Sequence, residues 1–370
     1  MKKLLDDIND QDEILEILEE KEEKRSIRWF KKYWKYILGF LVTAGLLGVL
    51  IWNAEPEAIK AGLIGSNYWL ILASFGLTIL LFTIKILRWQ SILRVQGNKI
   101  SFFEALELIL IGTFGSAITP AKVGDILRAF YLAKRKEEVK IGKAVFSVVF
   151  DRISDLAGII LIVGVTTPFI LIGIDSIKWW IPVGISIGFV LFIVLAVLVF
   201  NKKITRPILT FVVKFISRVF KKKEARKKIK MTSEEIVKDF YEGQKNYKVR
   251  NYLWLGFLSL AFWITLGLQG CVLLLAFNYQ NINPLVIIAV LCLAAIVALS
   301  IPISIGGIGI RDTVIMTLLF LILGIVNADA INLSIIQTFL NVLIPGFIGG
   351  LLAMRGGGKK RERPELPVAA

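Results

Sequence analysis

The chain of 370 residues contains no histidine. That excludes histidine general bases, Ser-His triads and histidine-ligated zinc. It has only two cysteines, Cys271 and Cys292, both inside apolar runs. A buried free cysteine packs as a small hydrophobe, and two at this spacing make neither a disulfide framework nor a zinc site. ATP-binding, RNA-binding and DNA-binding motifs are lacking. The stretch GGIGI (residues 306–310) has a superficial likeness to a dinucleotide fingerprint, but no βαβ context surrounds it, so nucleotide binding is discarded. The formal charge of +16 therefore needs another explanation than nucleic acid. Its Lys and Arg residues sit in loops flanking apolar spans, which fits the positive-inside rule and anionic lipid.

Apolar sequence is abundant. Hydrophobic residues make up 56% of the chain, and the mean hydropathy is +0.70. Soluble domains are nearer 45–50% apolar, and a bilayer-crossing helix needs about 20 apolar residues. The chain reads as an all-α polytopic membrane protein of about eight transmembrane helices plus one or two re-entrant or broken segments, with an internal repeat left open. Residues 1–35 form an acidic-then-basic cytoplasmic segment. Residues 36–355 form the transmembrane domain, and 356–370 a basic cytoplasmic tail. Crossings are expected near 36–52, 68–87, 144–165, 179–200, 252–277, 285–300, 313–325 and 331–353. The second is expected to end on Arg88, Arg94 and Lys99, hence inside. The stretch 101–118 has basic flanks on both sides, so it is expected to enter and leave on one side as a re-entrant hairpin. Irregular backbone at that depth is tolerated only inside protein or facing a watery cavity. If the late break at 301–311 were also re-entrant, the crossing count would change and the basic tail would become hard to place. In the basic loop 201–250, Ile204, Ile208, Phe211, Phe215 and Val219 form an apolar stripe, read as an interfacial helix on the anionic inner leaflet, with a solvated loop as the alternative.

Polar residues concentrate at three places. At the first break, Pro120 and Gly124 interrupt an apolar run beside Lys122, Asp125 and Arg128. In the following span, Ser147, Asp151, Ser154, Asp155 and Gly158 fall on one helix face, with Arg152 beside them. A charge at mid-membrane costs about 2.5–3.5 kcal/mol on insertion scales, so Asp151 and Asp155 require partners. Arg128, Lys122 and Arg311 are the candidates. A headgroup path and a structural ion pair both remain open. The late break repeats the pattern: Pro302, Gly306, Gly307, Gly309, Arg311 and Asp312. Paired Pro/Gly-interrupted segments in two halves point to a transporter's binding site, and freed backbone N–H groups there could hold an anion. Arg88 joins these as a candidate path residue. Two carboxylates on one helix could suggest acid–base work, but no nucleophile-and-base arrangement accompanies them.

The segments TPAKVGDILRAFYL, FDRISDLAG and IPISIGGIGIRD, in that order, resemble the flippase-like family, also called the lysylphosphatidylglycerol synthase transmembrane region. The resemblance covers about residues 36–355. It rests on Pro120-Gly124-Asp125-Arg128, on Asp151-Arg152-Asp155 and on Pro302-Gly306-Gly307-Gly309-Arg311-Asp312, with Asp at three places where Glu is often found. It implies an α-helical membrane fold and a role in moving lipid between leaflets. In bacterial multiple peptide resistance factors such a domain is fused to a soluble aminoacyl-transferase, which has no counterpart here, so synthase activity is not expected. The leading expectation is a lipid translocase for a phospholipid or lipid-linked sugar in the cell membrane, without cofactor or metal and without catalysis of its own. The alternatives are a membrane component of an aminoacyl- or glycosyl-transfer system and a scaffold for a partner enzyme.

Overall fold

The computed structural model describes residues 56–119, 123–136, 138–171, 233–243, 246–280, 282–301 and 307–355, with single positions at 186, 190 and 193. The N-terminal segment, the first and fourth expected spans, the stripe at 204–219 and the basic tail lie outside them. All regular elements among the described residues are helical. They are α1 Pro56–Ile64, α2 Tyr68–Val95, α3 Phe102–Ile118, α4 Leu127–Arg135, α5 Ile141–Leu171, α6 Ser233–Glu242, α7 Val249–Ala276, α8 Pro284–Ser300, α9 Ile310–Leu323, α10 Asn327–Thr338 and α11 Ile344–Met354. A π-helical turn, Phe339–Leu343, joins α10 to α11.

Three continuous helices, Tyr68–Val95, Val249–Ala276 and Asn327–Met354, are long and apolar enough to cross a membrane. Each has 28 residues, about 42 Å at 1.5 Å per residue. α5 has 31 residues but carries charges at its middle. Large apolar side chains such as Trp69, Leu72, Leu253 and Phe347 lie exposed, while charged side chains lie buried. That inversion suits a lipid solvent.

α2 and α7 pack antiparallel. The Asn67 N–H donates to the Ala276 carbonyl at 2.8 Å at one end, and Trp254 Nε1 donates to Ser91 Oγ at 3.2 Å toward the other. Two helical hairpins enter this pair from opposite ends. The first consists of α3, a 3₁₀ turn at Val123–Ile126 and α4. Its base is closed by Arg135 Nη1 on Glu107 at 2.8 Å and Lys136 on Glu104 at 3.3 Å, beside the C-terminal end of α2. The second consists of α8, the break at 301–309 and α9. Its base lies by the N-terminus of α2. There Tyr279 Oη accepts the Val326 N–H at 3.2 Å, and Asn278 reaches the Gly65 carbonyl.

The stretches 285–300 and 313–325, expected as the sixth and seventh crossings, are thus the two arms of one hairpin. Their helices have 17 and 14 residues, about 25 and 21 Å, and both outer ends meet at Tyr279 and Val326. Both are shorter than the apolar core of a bilayer, about 30 Å, which suits arms that turn back within it. The two arms begin and end on one side, so the late hairpin does not disturb the tail's placement. The stretch 101–118, expected to enter and leave as a hairpin, is one continuous helix; the return arm lies beyond it in α4, which carries Arg128 back into the bundle. The result is a long helix, a hairpin and a long helix (α2, α3–α4, α5), repeated in inverted sense by α7, α8–α9 and α10–α11.

Close backbone contacts fix the first hairpin. A side chain at Gly124 would overlap the backbone of Gly115, and one at Gly349 would overlap the Leu110 carbonyl. Small residues let membrane helices approach this closely. Thr119 sews up the break: its hydroxyl donates to Gly115 O at 2.7 Å and accepts the Gly124 N–H at 2.8 Å. The π turn has a local cause. Pro345 has no N–H for the Asn341 carbonyl, and the preceding Ile344 N–H bonds to Phe339 instead. Outside the bundle, α6 docks on the start of α5 through Phe240 against Phe146 and Asp239 with Lys140 at 2.9 Å.

Two outcomes follow. In a background lacking Cys271 and Cys292, single cysteines at Gln280 and Val326 will react with an impermeant maleimide from one face, and those at Lys99 and Lys134 from the other. Reaction of Gln280 and Val326 from opposite faces would remove the second hairpin. Gly124→Val should lower stability by about 1–3 kcal/mol or more, read as a lower unfolding temperature in detergent.

Candidate functional site

The centre of the first half is an ion-pair network across three elements. Arg88 is the twenty-first residue of α2 and is fully buried. Its Nε donates to Asp151 Oδ1 at 2.6 Å, and its Nη1 reaches Asp155 and, at 3.2 Å, Ser259 of α7. Arg128 of α4 donates through Nη2 to the other oxygen of Asp151 at 2.6 Å. Arg152 pairs with Asp125 of the 3₁₀ turn and, at 3.4 Å, with Asp155. Two rings back the cations: Arg128 lies 4.9 Å from the Trp89 ring centroid and Arg88 5.7 Å from that of Phe262. Charge-assisted hydrogen bonds of this kind are the strong ones. They are needed where desolvation would otherwise expel the charges.

This places the expected residues as follows. Asp151 and Asp155 do share one inward face, and Arg128 is a partner of Asp151. Arg88 is no flanking charge at the end of a span, because α2 runs on to Val95. It is instead the principal partner of both aspartates. Arg311 does not join them. It lies at the second break, where it contacts Asp312 at 2.8 Å and Thr338, with Ser334 Oγ at 3.3 Å. Ser334 donates to Asp312 at 2.5 Å, and Asp312 accepts the Gly309 N–H at 2.9 Å. The N-terminus of α9 is therefore capped by the protein's own carboxylate. Gly307 and Gly309 take positive φ, 81° and 88°, which is their use there. Gly124 is needed instead for its close contact. Pro120, Lys122, Pro302 and Gly306 lie outside the described residues.

Sequence reading missed a third group. Gln269 is the twenty-first residue of α7, the place that Arg88 holds in α2. Its Nε2 donates to Thr78 Oγ1 at 2.9 Å, and its Oε1 accepts from Asn341 Nδ2 at 2.8 Å. Thr78 and Ser259 are each eleventh in their helices. Asp155 and Asn341 are each fifteenth in α5 and in the continuous helix from Asn327. The inverted repeat thus carries one constellation twice. It is charged as Arg88–Asp155–Ser259 and neutral as Gln269–Asn341–Thr78. Neutral residues give no charge signal in a sequence, so nothing short of the helix register could have found it.

The family described as Lysylphosphatidylglycerol synthase TM region matches residues 36–349. The chain belongs to this family. Similar proteins include UPF0104 membrane proteins of Methanocaldococcus jannaschii, 26% identical over 88% of this chain and 96% of the relative, and of Pyrococcus horikoshii, 25% identical over 88% and 97%. The glycosyltransferase AglD of Haloferax volcanii is 22% identical over 86% of this chain but only 54% of its own length. This member of the lysylphosphatidylglycerol synthase TM region family thus shares nearly the full length of the UPF0104 proteins and about half of a glycosyltransferase.

The two constellations differ in the cost of breaking them. Asp151→Asn leaves Arg128 buried without its carboxylate and Arg88 with Asp155 alone, and should cost about 3–5 kcal/mol. Gln269→Ala removes neutral bonds and should cost about 1–3 kcal/mol. Detergent unfolding temperatures of the two variants check the order, and equal shifts would contradict it.

Proposed function

We propose that the protein moves a phospholipid or lipid-linked sugar between the leaflets of the cell membrane. The observation that carries this reading is the pair of opposed hairpins, each with its break at a polar cluster deep in an apolar bundle. Discontinuous helices in an inverted repeat are where transporters place their substrate sites, and intramembrane charge is a functional-site hypothesis by default. The headgroup would pass along the Arg88–Asp151–Arg128 network and the Arg311–Asp312 cap while the acyl chains stay in lipid. Both termini are cytoplasmic in this reading, and an anionic inner leaflet holds the basic loop. The protein catalyses no covalent step of its own: both oxygens of Asp151 already hold arginines, which suits them poorly to act as a general base.

A second reading is favoured by the glycosyltransferase of Haloferax volcanii, in which a region like this chain makes up about half of the protein. There this chain serves as the membrane component beside a lipid-modifying partner enzyme, presenting or clearing its lipid.

Reconstituted vesicles distinguish the two. Labelled phosphatidylglycerol and a labelled lipid-linked sugar should equilibrate across leaflets faster with wild type than in protein-free vesicles. Arg128→Ala should slow this about tenfold, equivalent to about 1.4 kcal/mol. No acceleration for either lipid, with a deletion strain that lacks a lipid product, would favour the second reading.

A further inference from the structure

The ion-pair network is not electrically closed. It holds three aspartates, Asp125, Asp151 and Asp155, and three arginines, Arg88, Arg128 and Arg152. One turn before Arg88 on α2 stands Lys85, within electrostatic reach of Arg152, Asp155, Arg128 and Asp151. Lys85 makes no ion pair or hydrogen bond among the described residues. Its recorded contact is the Phe82 ring, 5.6 Å away. With the Lys85 amine protonated, four cations face three anions, an excess of one positive charge. Among the described residues no further carboxylate pairs with these cations.

An uncompensated charge deep among apolar helices is costly, and such charges mark substrate or ion pathways. The network also has donors to spare. Arg88 Nη2, Arg128 Nε and Arg152 Nε are buried without a hydrogen-bond partner. The edge bearing Lys85 is the open one. Lys85 is half-buried and the Arg152 side chain is 32% exposed, whereas the side chains of Arg88 and Asp151 are wholly covered. On the same helix Leu80 and Leu87 are exposed, offering an apolar surface beside the charge.

We propose that Lys85 and Arg152 form a binding site for a singly charged phosphodiester, the headgroup phosphate of a membrane lipid. One negative charge brings the cluster to neutrality. Phosphate oxygens accept from an ammonium and from guanidinium N–H groups, and the acyl chains lie along the exposed face of α2. This rests on the proposed transport reading for its purpose, but not for its test.

Binding is read apart from transport, by the shift in unfolding temperature of the full chain in detergent on adding lipid. Dioleoylphosphatidylglycerol should stabilise wild type, and dioleoylglycerol, which has the same chains without phosphate, should not. Lys85→Gln should remove most of that difference and Lys85→Arg should keep it. Both variants should unfold near the wild-type temperature without lipid, since Lys85 makes no ion pair or hydrogen bond among the described residues and touches the Phe82 ring alone there. Inorganic phosphate and glycerol phosphate are the soluble controls. A Lys85-dependent shift of equal size with either of them would keep the phosphate site but overturn its assignment to a lipid. An equal shift with both dioleoyl compounds, or an undiminished shift in Lys85→Gln, would overturn the site itself. Lys85-dependent binding without leaflet exchange would leave the site and sink the transport reading, and leaflet exchange without Lys85-dependent binding would do the reverse.

Discussion

Asp151 is the constraint on which the first half of the molecule depends. Its two oxygens hold guanidinium groups from two other helices, Arg88 on α2 and Arg128 on α4. Each partner is covered from solvent, so water cannot screen the attraction or replace it. The interaction fixes α2, α4 and α5 in one register. It thereby holds the first hairpin with its tip against the middle of the bundle. The Gly115–Gly124 contact and the Thr119 bridge complete that fit, but they are short-range. They work only once the hairpin has been drawn to the depth that the ion pair sets.

The second half solves the same geometric problem with weaker means. Gln269, Asn341 and Thr78 occupy the places of Arg88, Asp155 and Ser259, and neutral amides replace charges. The partner helix there is also locally irregular, with a π turn upstream of Pro345 that contains Asn341 itself. π turns interrupt regular helices and frequently sit at functional sites. The two ends of the inverted repeat are alike in plan and unlike in strength. Neutral amides cost little to desolvate, so their network is easier to part than one whose separation would strand buried charge.

Much of the site was legible in the sequence because charge inside an apolar run is conspicuous. Asp151 and Asp155 stand out by spacing alone, and Arg128 follows as a partner from its place at the break. Arg88 was harder. It sits where an apolar window ends, and hydropathy does not say whether a helix stops at a charge or continues past it. α2 continues, which turns a flanking residue into a buried one. The same ambiguity concealed the second hairpin. Residues 285–300 and 313–325 are apolar enough to be spans, and what marks them as arms is that their helices have only 17 and 14 residues, about 25 and 21 Å. Gln269 and Ser259 gave no signal, because their role depends on which residue of another helix lies opposite.

A network made only to hold helices together would be better built without charge. Well-packed apolar side chains do that work at no desolvation cost, and replacing a buried ion pair by them is often neutral or stabilising. At the equivalent helix contact of the second half Gln269 and Asn341 join the helices without ions, although that half keeps Arg311 and Asp312 at its break. Beyond the pairs that hold its helices, the first half keeps nitrogens on Arg88, Arg128 and Arg152 that have no hydrogen-bond partner among the described residues, and the ammonium of Lys85, whose contact there is the Phe82 ring. What distinguishes that half from its neutral counterpart is a surplus of donors and of positive charge, both of the kind that an anion satisfies.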